Sequence, residues 1–137
     1  MATFTIQSET HPTDSSLKIL FEFLGNFKNF HSILPHDKVE NFKFSDSECS
    51  FHIKGITPMT VKLADKKEFE YILFSSDGLG KFNFKLKVFF IGEASIKGKC
   101  RVELFGDLNP VIIKWVENAL TQLVNTMSLK LSQLQLS

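Results

Sequence analysis

The spacing of apolar residues along the chain changes from the period of a strand to that of a helix and back again. Residues 3–8 alternate between polar and apolar types, which predicts a strand with Phe4 and Ile6 on one face. Residues 38–105 show the same alternation over a longer distance, and they predict a meander of six further strands. The expected sheet therefore has seven antiparallel strands.

Two short helices are predicted between the first strand and the meander. Thr13 or Asp14 can cap the first helix, and Gly25 ends it. Pro35 ends the second helix because proline cannot continue a helical hydrogen-bond pattern. The residues expected on the buried faces of the two helices are Leu17, Leu20, Phe21, Leu24, Phe27, Phe30 and Ile33.

A long helix is predicted after the meander. Asn109 is a favoured capping residue, and Pro110 follows it at the first helical position, where proline is preferred. A helix of about 25 residues is roughly 37 Å long, enough to cross a whole sheet. Its apolar stripe consists of Ile112, Trp115, Val116, Ala119, Leu123, Met127, Leu131 and Leu134.

Short turns between the strands predict which residues face each other. We expect two-residue turns at residues 46–47 and 77–78, a three-residue turn at residues 65–67, and an odd number of residues in the turn around Gly92. The pairs that follow are Phe44–Cys49, Phe42–Phe51, Tyr71–Phe84, Leu73–Phe82, Lys62–Glu70, Phe84–Cys100 and Val88–Ile96.

These pairings give the sheet one apolar face and one polar face. The polar face is expected to be a solvated outer surface, or else a docking patch formed by Lys85, Lys87, Lys97, Lys99 and Arg101. Gly98 on the apolar face is expected to let the sheet bend or to let Trp115 pack closely, and the packing role is favoured. The apolar face consists of Phe42, Phe44, Cys49, Phe51, Ile53, Met59, Val61, Leu63, Phe69, Tyr71, Leu73, Phe82, Phe84, Leu86, Val88, Phe90, Ala94, Ile96, Gly98, Cys100, Val102 and Leu104.

Length and composition narrow the class of protein. A chain of 137 residues fits one domain, residues 1–137. The net charge of +1 gives no general attraction to nucleic acid, so no nucleic-acid partner is expected. The two cysteines have no metal-binding spacing and suggest buried thiols in a reducing compartment. Because no apolar run is long enough to cross a membrane, we expect no integral membrane segment and a cytoplasmic protein.

No catalytic, metal-binding or cofactor-binding arrangement is predicted. The expected apolar face contains no carboxylate and no histidine, and general acid–base catalysis needs a titratable group beside the substrate. His31 and His36 lack an evident third ligand for a metal. Apolar surroundings make Cys49 and Cys100 poor nucleophiles. We therefore expect no cofactor and no metal, and the residues lean against enzymatic activity without deciding it.

The order of elements resembles the helix-grip fold of the START/Bet v 1-like (SRPBCC) superfamily. The segment "SLKILFEFLGNFKNFHSILP" is similar to the opening pattern of that superfamily, an amphipathic helix, a break, a second short helix and a closing proline. This resemblance covers essentially the whole chain. It implies an α+β fold in which a curved seven-stranded antiparallel sheet wraps around a long C-terminal helix, with two short helices after the first strand.

Members of this superfamily include lipid carriers, plant hormone-binding proteins, polyketide cyclases and co-chaperones, so the fold alone does not select a function. The leading hypothesis is a noncatalytic module that binds an apolar small molecule, such as a lipid, isoprenoid or aromatic metabolite. The second is a protein-interaction or co-chaperone-like module whose core is filled by its 15 Phe and whose outer sheet face contacts a protein partner. A polyketide cyclase-like enzyme is the third and is disfavoured by the missing inward acids.

The leading hypothesis places the ligand between the sheet and the C-terminal helix. The Tyr71 hydroxyl is expected to bond to a backbone carbonyl or a water, or else to be the polar group available to the ligand. The entrance is expected near the second short helix and the turn at residues 55–58. The predicted ligand-binding residues are Phe27, Phe30, Tyr71, Phe84, Trp115, Ala119, Leu123 and Met127.

Overall fold

The computed structural model describes residues 2–54, 58–77 and 84–136, and it has the predicted α+β architecture. The helices are α1 (Leu17–Leu24), α2 (Phe27–Phe30) and α3 (Pro110–Gln133), and a 3₁₀ turn (His31–Ile33) follows α2. The strands are β1 (Ala2–Gln7), β2 (His11–Ser16), β3 (Val39–Phe44), β4 (Glu48–Ile53), β5 (Pro58–Lys67), β6 (Tyr71–Asp77), β7 (Phe84–Ile91) and β8 (Lys97–Leu108).

The sheet is antiparallel, with the strand order β1-β8-β7-β6-β5-β4-β3, so the predicted six-strand meander is confirmed. The segment β2 also pairs with β8 and brings the number of described strands to eight. Its sequence, HPTDSS, contains a proline and no apolar alternation, which explains why sequence periodicity did not predict it. The pairing is irregular, and the register shifts between Pro12 and Ser16.

The helix α1 has the predicted buried face and ends at Gly25. Its capping residue is Ser16, whose side chain accepts a hydrogen bond from the Ile19 amide, so the predicted caps at Thr13 and Asp14 are wrong. The chain is still extended at those positions because it pairs with β8. Thr13 Oγ1 accepts a hydrogen bond from the Gly98 amide, 2.9 Å away, and thus joins β2 to β8.

The register of the sheet agrees with prediction at its edge and differs in its middle. Phe44 lies opposite Cys49 as predicted, but Asn41 has a positive φ of 57° and the register shifts between Glu40 and Lys43. This bulge interrupts the predicted pairing of Phe42 with Phe51. Phe44, at the end of β3, is 55% exposed.

Strand β6 directs to the core the face that was predicted to point outward. It continues through Asp77, which excludes a turn at residues 77–78; Gly78 and Phe82 lie outside the described residues. Tyr71 pairs with Phe89, and Ser76 pairs with Phe84. Because neighbouring residues of a strand point to opposite faces, Tyr71 and Leu73 lie on the outer face.

The connections on either side of β6 and β7 also differ from prediction. Strand β5 runs to Lys67, so the turn lies at residues 68–70, and Lys62 faces Ser75 instead of Glu70. In β8, Cys100 faces Phe90, six residues from the predicted partner Phe84. This even shift leaves the inner face of β7 and β8 as predicted.

An odd number of residues, 92–98, separates the last paired residues of β7 and β8, as predicted, but this connection is longer than the predicted pairing of Val88 with Ile96 requires. Ile96 therefore lies in the turn and is exposed. Phe69 lies in the β5–β6 turn, has a positive φ of 63° and is partly buried, so it is not an inner-face strand residue.

The cap of α3 is confirmed, since the Asn109 side chain accepts a hydrogen bond from the Val111 amide. Of the predicted stripe, Val116, Leu123, Met127 and Leu131 are buried. Ile112, Ala119 and Leu134 are partly buried against the core, and Trp115 is 76% exposed, so its predicted burial is wrong. Trp115 is turned about 100° around the helix from buried Val116, and this rotation takes its ring away from the sheet. The buried residues of α3 are Val116, Leu120, Leu123, Val124, Met127, Ser128, Leu131 and Ser132.

Polar contacts fix the C-terminal half of α3. Ser128 Oγ donates to the Glu9 carbonyl (3.1 Å), and Lys130 Nζ donates to the Leu34 carbonyl (2.7 Å). Gly98 does not accommodate Trp115, because a Cβ at this position would collide with the Ile91 carbonyl oxygen of β7 and lie 2.9 Å from Leu17 Cδ1 of α1. These contacts place α3 along β8, β1 and β2.

Leu123→Ala and Trp115→Ala should have different effects on stability. Leu123 is 2% exposed, so truncation should lower the free energy of unfolding by about 2–5 kcal/mol. Trp115→Ala should change it by less than about 1 kcal/mol because the ring is exposed. Urea denaturation measures both, with exposed Leu129→Ala as a control. A loss for Trp115→Ala as large as that for Leu123→Ala would contradict the exposed placement.

Candidate ligand-binding interior

The inner face of the sheet and the helices that cover it form one apolar layer. Ionisable side chains other than cysteine are missing from the buried set in the described ranges. The helices contribute residues such as Leu20, Phe30, Leu123 and Met127. The strand residues of this layer are Cys49, Phe51, Ile53, Met59, Val61, Ile72, Phe74, Phe84, Leu86, Val88, Phe90, Cys100, Val102 and Leu104.

Phenylalanine rings occupy the space between the short helices and the sheet. The Phe30 ring contacts Phe74 edge-on, with centroids 5.2 Å apart, and stacks on Phe51 at 6.1 Å. Phe27 also contacts Phe74, with a centroid distance of 5.9 Å. Such edge-on and offset pairs add to the stability gained by burial. The interior near α2 is therefore closely packed.

A second aromatic group lies beside α1. The Phe21 ring contacts Phe69 at 5.5 Å and Phe90 at 5.6 Å, both edge-on. Phe69 reaches α1 from the β5–β6 turn, where its positive φ is costly for a residue with a large side chain. The contact with Phe21 accounts for retaining a ring at this position.

Five of the predicted ligand-binding residues are buried in one hydrophobic cluster, and Ala119 is partly buried against it. The buried residues are Phe27, Phe30, Phe84, Leu123 and Met127.

The other two predicted ligand-binding residues, Tyr71 and Trp115, point away from this cluster. Tyr71 is on the outer sheet face, where its hydroxyl donates to Asp65 Oδ2 at 2.9 Å. Because this hydrogen bond stabilises the neutral phenol, it raises the pKa of Tyr71 above its usual value. Trp115 is exposed on α3. Neither side chain is a polar group of the interior.

Ser76 is a polar residue of the inner sheet face that the sequence did not predict. It lies on the inner face of β6, between Val61 of β5 and Phe84 of β7. The residue is 3% exposed, and its Oγ has no hydrogen-bond partner in the parts of the chain that the structure describes. The sequence did not indicate this position, because the predicted register placed the even-numbered residues of β6 on the outer face.

The titratable residues considered from the sequence do not form a reactive site. Burial raises the pKa of both Cys49 and Cys100 to about 12, which keeps each thiol protonated. The His31 and His36 rings stack with centroids 4.5 Å apart. Burial, together with the charges of His36 and Lys130, lowers the pKa of His31.

Within the described ranges, there is no group of three or more His, Cys, Asp or Glu side chains that could bind a metal ion. The helices of these ranges include none that is long and apolar enough to cross a membrane.

The outer face of the sheet carries a cluster of cations and aromatic rings, formed by Tyr71, Lys87, Phe89 and Arg101. Lys87 Nζ lies 4.2 Å from the Tyr71 ring centroid and 4.9 Å from that of Phe89. The Arg101 guanidinium lies 3.9 Å from the Phe89 centroid and pairs with Glu103 at 3.0 Å. Two of the five predicted docking cations, Lys87 and Arg101, are thus held in place by aromatic rings.

Several solved structures have the same overall fold as this chain. A START superfamily protein from Mycobacterium smegmatis has a TM-score of 0.62 at 10% identity, covering 93% of this chain and 96% of that one. Truncated norcoclaurine synthase from Thalictrum flavum has a TM-score of 0.64 at 12% identity, covering 96% and 92%. The Zhui aromatase/cyclase from a Streptomyces species has a TM-score of 0.63 at 12% identity, covering 94% of each chain.

The chain has the START/Bet v 1-like helix-grip fold. Searches against protein-family models and curated proteins give no match. At identities of 10–12% the structural likeness establishes the fold alone, and the neighbours include both a START protein and enzymes. The function of this helix-grip chain therefore has to be inferred from the residues of its own interior.

The protein has one tyrosine, so its ultraviolet titration reports Tyr71 alone. Asp65→Asn should move the titration midpoint down towards the usual pKa of about 10, because it removes the charged acceptor of the phenol. Absorbance at alkaline pH measures the midpoint, and the distant Glu40→Gln is the control. An unchanged midpoint in Asp65→Asn would contradict the outward placement of Tyr71.

Proposed function

We propose that this protein is a noncatalytic binding module for an apolar small molecule, held between the inner face of the sheet and α3. The observation that carries the proposal is the position of α3. Its backbone comes closest to β8, β2, β1 and the 3₁₀ turn, and side chains fill the layer over the other strands. Side chains can change rotamer to admit a ligand, whereas a helix backbone in direct contact with the sheet cannot.

The proposed contact residues are the members of the predicted set that face this layer. They lie on three elements that contribute side chains to the same buried cluster, namely α2, the start of β7 and the middle of α3. Tyr71 and Trp115 are not retained, since they point to solvent-facing surfaces. The contact residues are Phe27, Phe30, Phe84, Ala119, Leu123 and Met127.

The proposed entrance lies beside α2, as the sequence suggested. This helix has four residues and follows the Gly25–Asn26 break, so few backbone hydrogen bonds hold it. The turn predicted to form the other side of the entrance includes residues 55–57, which lie outside the described residues. Movement of α2 would carry Phe27 and Phe30 away from Phe74.

An enzymatic role receives less support than binding. Norcoclaurine synthase and the aromatase/cyclase share the fold, but acid–base chemistry would need a titratable group beside the substrate. The buried set of the described residues offers the cysteine thiols, whose raised pKa keeps them protonated. This set favours retention of a molecule over its conversion.

The same free, buried cysteines fit a reducing compartment, and we place the protein in the cytoplasm.

A second candidate function is a protein-interaction module. The aromatic contacts of Phe30 with Phe51 and Phe74 favour it, because rings that fill the interior leave less volume for a ligand. The cation–aromatic cluster on the outer sheet face would then supply the contact surface. This candidate and the binding module make opposite predictions about small-molecule binding.

The decisive experiment tests neutral polycyclic aromatics and isoprenoids for binding to the purified protein. Native mass spectrometry detects a retained molecule, and thermal unfolding detects the stabilisation that a native-state ligand produces. Leu123→Trp should abolish binding by filling the layer under α3, whereas Leu129→Trp, at an exposed position of the same helix, should not.

Ala119→Phe is a second blocking variant at a partly buried position, in case Leu123→Trp does not fold. Absence of binding by every compound to the folded wild-type protein would reject the small-molecule proposal. The protein-interaction module would then be favoured.

A further inference from the structure

Ser76 differs from every other buried hydroxyl in the described residues. Ser8, Thr13, Ser15, Ser128 and Ser132 each donate to a carbonyl oxygen, at distances between 2.6 and 3.1 Å. Two of these residues lie in β2, two lie in α3, and Ser8 lies between β1 and β2. They join one element to another or close a local turn. Ser76 Oγ has no such partner within the described ranges.

The described neighbours of Ser76 give its hydroxyl no structural role. Its neighbours across the sheet are Val61 and Phe84, and the preceding inner-face residues of β6 are Ile72 and Phe74. A buried polar atom without a partner opposes folding, and an alanine would fill nearly the same volume without that cost. A hydroxyl at this position is therefore explained by a partner that the described residues do not supply.

The chemistry of the interior limits what that partner can be. Lys, Arg and His are missing from the buried set of the described residues, so a buried carboxylate or phosphate would have no compensating charge. A serine hydroxyl forms one donated hydrogen bond and accepts others from neutral groups. A carbonyl or hydroxyl oxygen on an otherwise apolar molecule meets both conditions.

We infer that the interior takes a neutral, largely apolar molecule with a single carbonyl or hydroxyl group, and that Ser76 donates a hydrogen bond to its oxygen. This inference rests on the proposed binding function and specifies the ligand class of the same site. Ser76 Oγ is enclosed in this structure, so the ligand displaces an apolar side chain to reach it. Phe84, the lateral neighbour of Ser76, is one of the proposed contact residues.

The test uses three matched probes, 2-acetylnaphthalene, 2-isopropylnaphthalene and 2-naphthoate. Calorimetric titration gives the Kd of each probe for the wild-type protein and for Ser76→Ala. The ratio of the ketone Kd to the hydrocarbon Kd should rise about 5- to 30-fold in Ser76→Ala, because one hydrogen bond is lost. Comparing ratios removes the difference in hydration between the two probes.

Ser128→Ala is the matched control because it removes a buried hydroxyl that has a protein partner, and its ratio should equal that of the wild type. Binding of both neutral probes with an unchanged ratio in Ser76→Ala overturns the inference and leaves the binding function intact. Tighter binding of the naphthoate than of the ketone also overturns it. Failure of these probes and of the wider panel to bind rejects the binding function itself.

Thermal unfolding without any probe supplies an independent measurement. Ser76→Ala should keep or raise the melting temperature, since it removes an unsatisfied buried hydroxyl. Ser128→Ala should lower it, since the Glu9 carbonyl loses its donor. A decrease for Ser76→Ala equal to that for Ser128→Ala would show that the protein itself binds this hydroxyl, and the inference would be overturned.

Discussion

An antiparallel sheet with one apolar face is stable in water only if another layer covers that face, and α3 is the largest covering element here. Its position depends on polar contacts at its C-terminal half. Ser15 Oγ donates to the Leu134 carbonyl, Ser128 Oγ to the Glu9 carbonyl, and Lys130 to the Leu34 carbonyl. Because these bonds join α3 to β2 and the segments beside it, the helix is held along one side of the sheet.

The attachment of α3 along one side of the sheet explains why phenylalanine side chains fill the layer over the other strands. Over the strands farther from α3, the gap between layers has to be filled by large side chains, and α1 and α2 contribute Phe21, Phe27 and Phe30 to it. The rings meet sheet residues such as Phe74 and Phe90 in edge-on contacts. A gap filled by rotatable side chains is stable when closed and can also admit an apolar molecule. The same packing thus supports both the binding proposal and the filled-core alternative, and ligand binding separates them.

Polar groups on the two faces of the sheet differ in whether they have hydrogen-bond partners. On the outer face, Asp65 accepts the Tyr71 hydroxyl, and Arg101 pairs with Glu103 above the Phe89 ring. On the inner face, the Ser76 hydroxyl is enclosed by apolar neighbours and has no partner within the described residues. Polar atoms outside the sheet can exchange a protein partner for water at little cost, but a buried atom cannot. This asymmetry makes Ser76 more informative about function than the larger outer cluster.

The sequence by itself determined the elements whose signals are local. The Asn109–Pro110 start of α3, the buried faces of α1 and α2, and the six-strand meander all follow from capping preferences and periodicity. Together they specified the helix-grip fold, because each pattern involves only residues that are close together in the sequence. The inner face of β7 and β8 also followed from alternation, since Phe84, Leu86 and Val88 leave a single apolar face.

Only the tertiary structure decided how β6 faces the core. In its sequence, YILFSSD, apolar side chains occupy both alternating sets, Tyr71 and Leu73 in one and Ile72 and Phe74 in the other. Alternation then cannot select the inner set, and the choice depends on pairing with β5 and β7. That pairing includes a register shift between Leu63 and Asp65 that no local signal announces. Ser76 entered the interior and Tyr71 left it for this reason, because a shift of one residue exchanges the two faces of a strand.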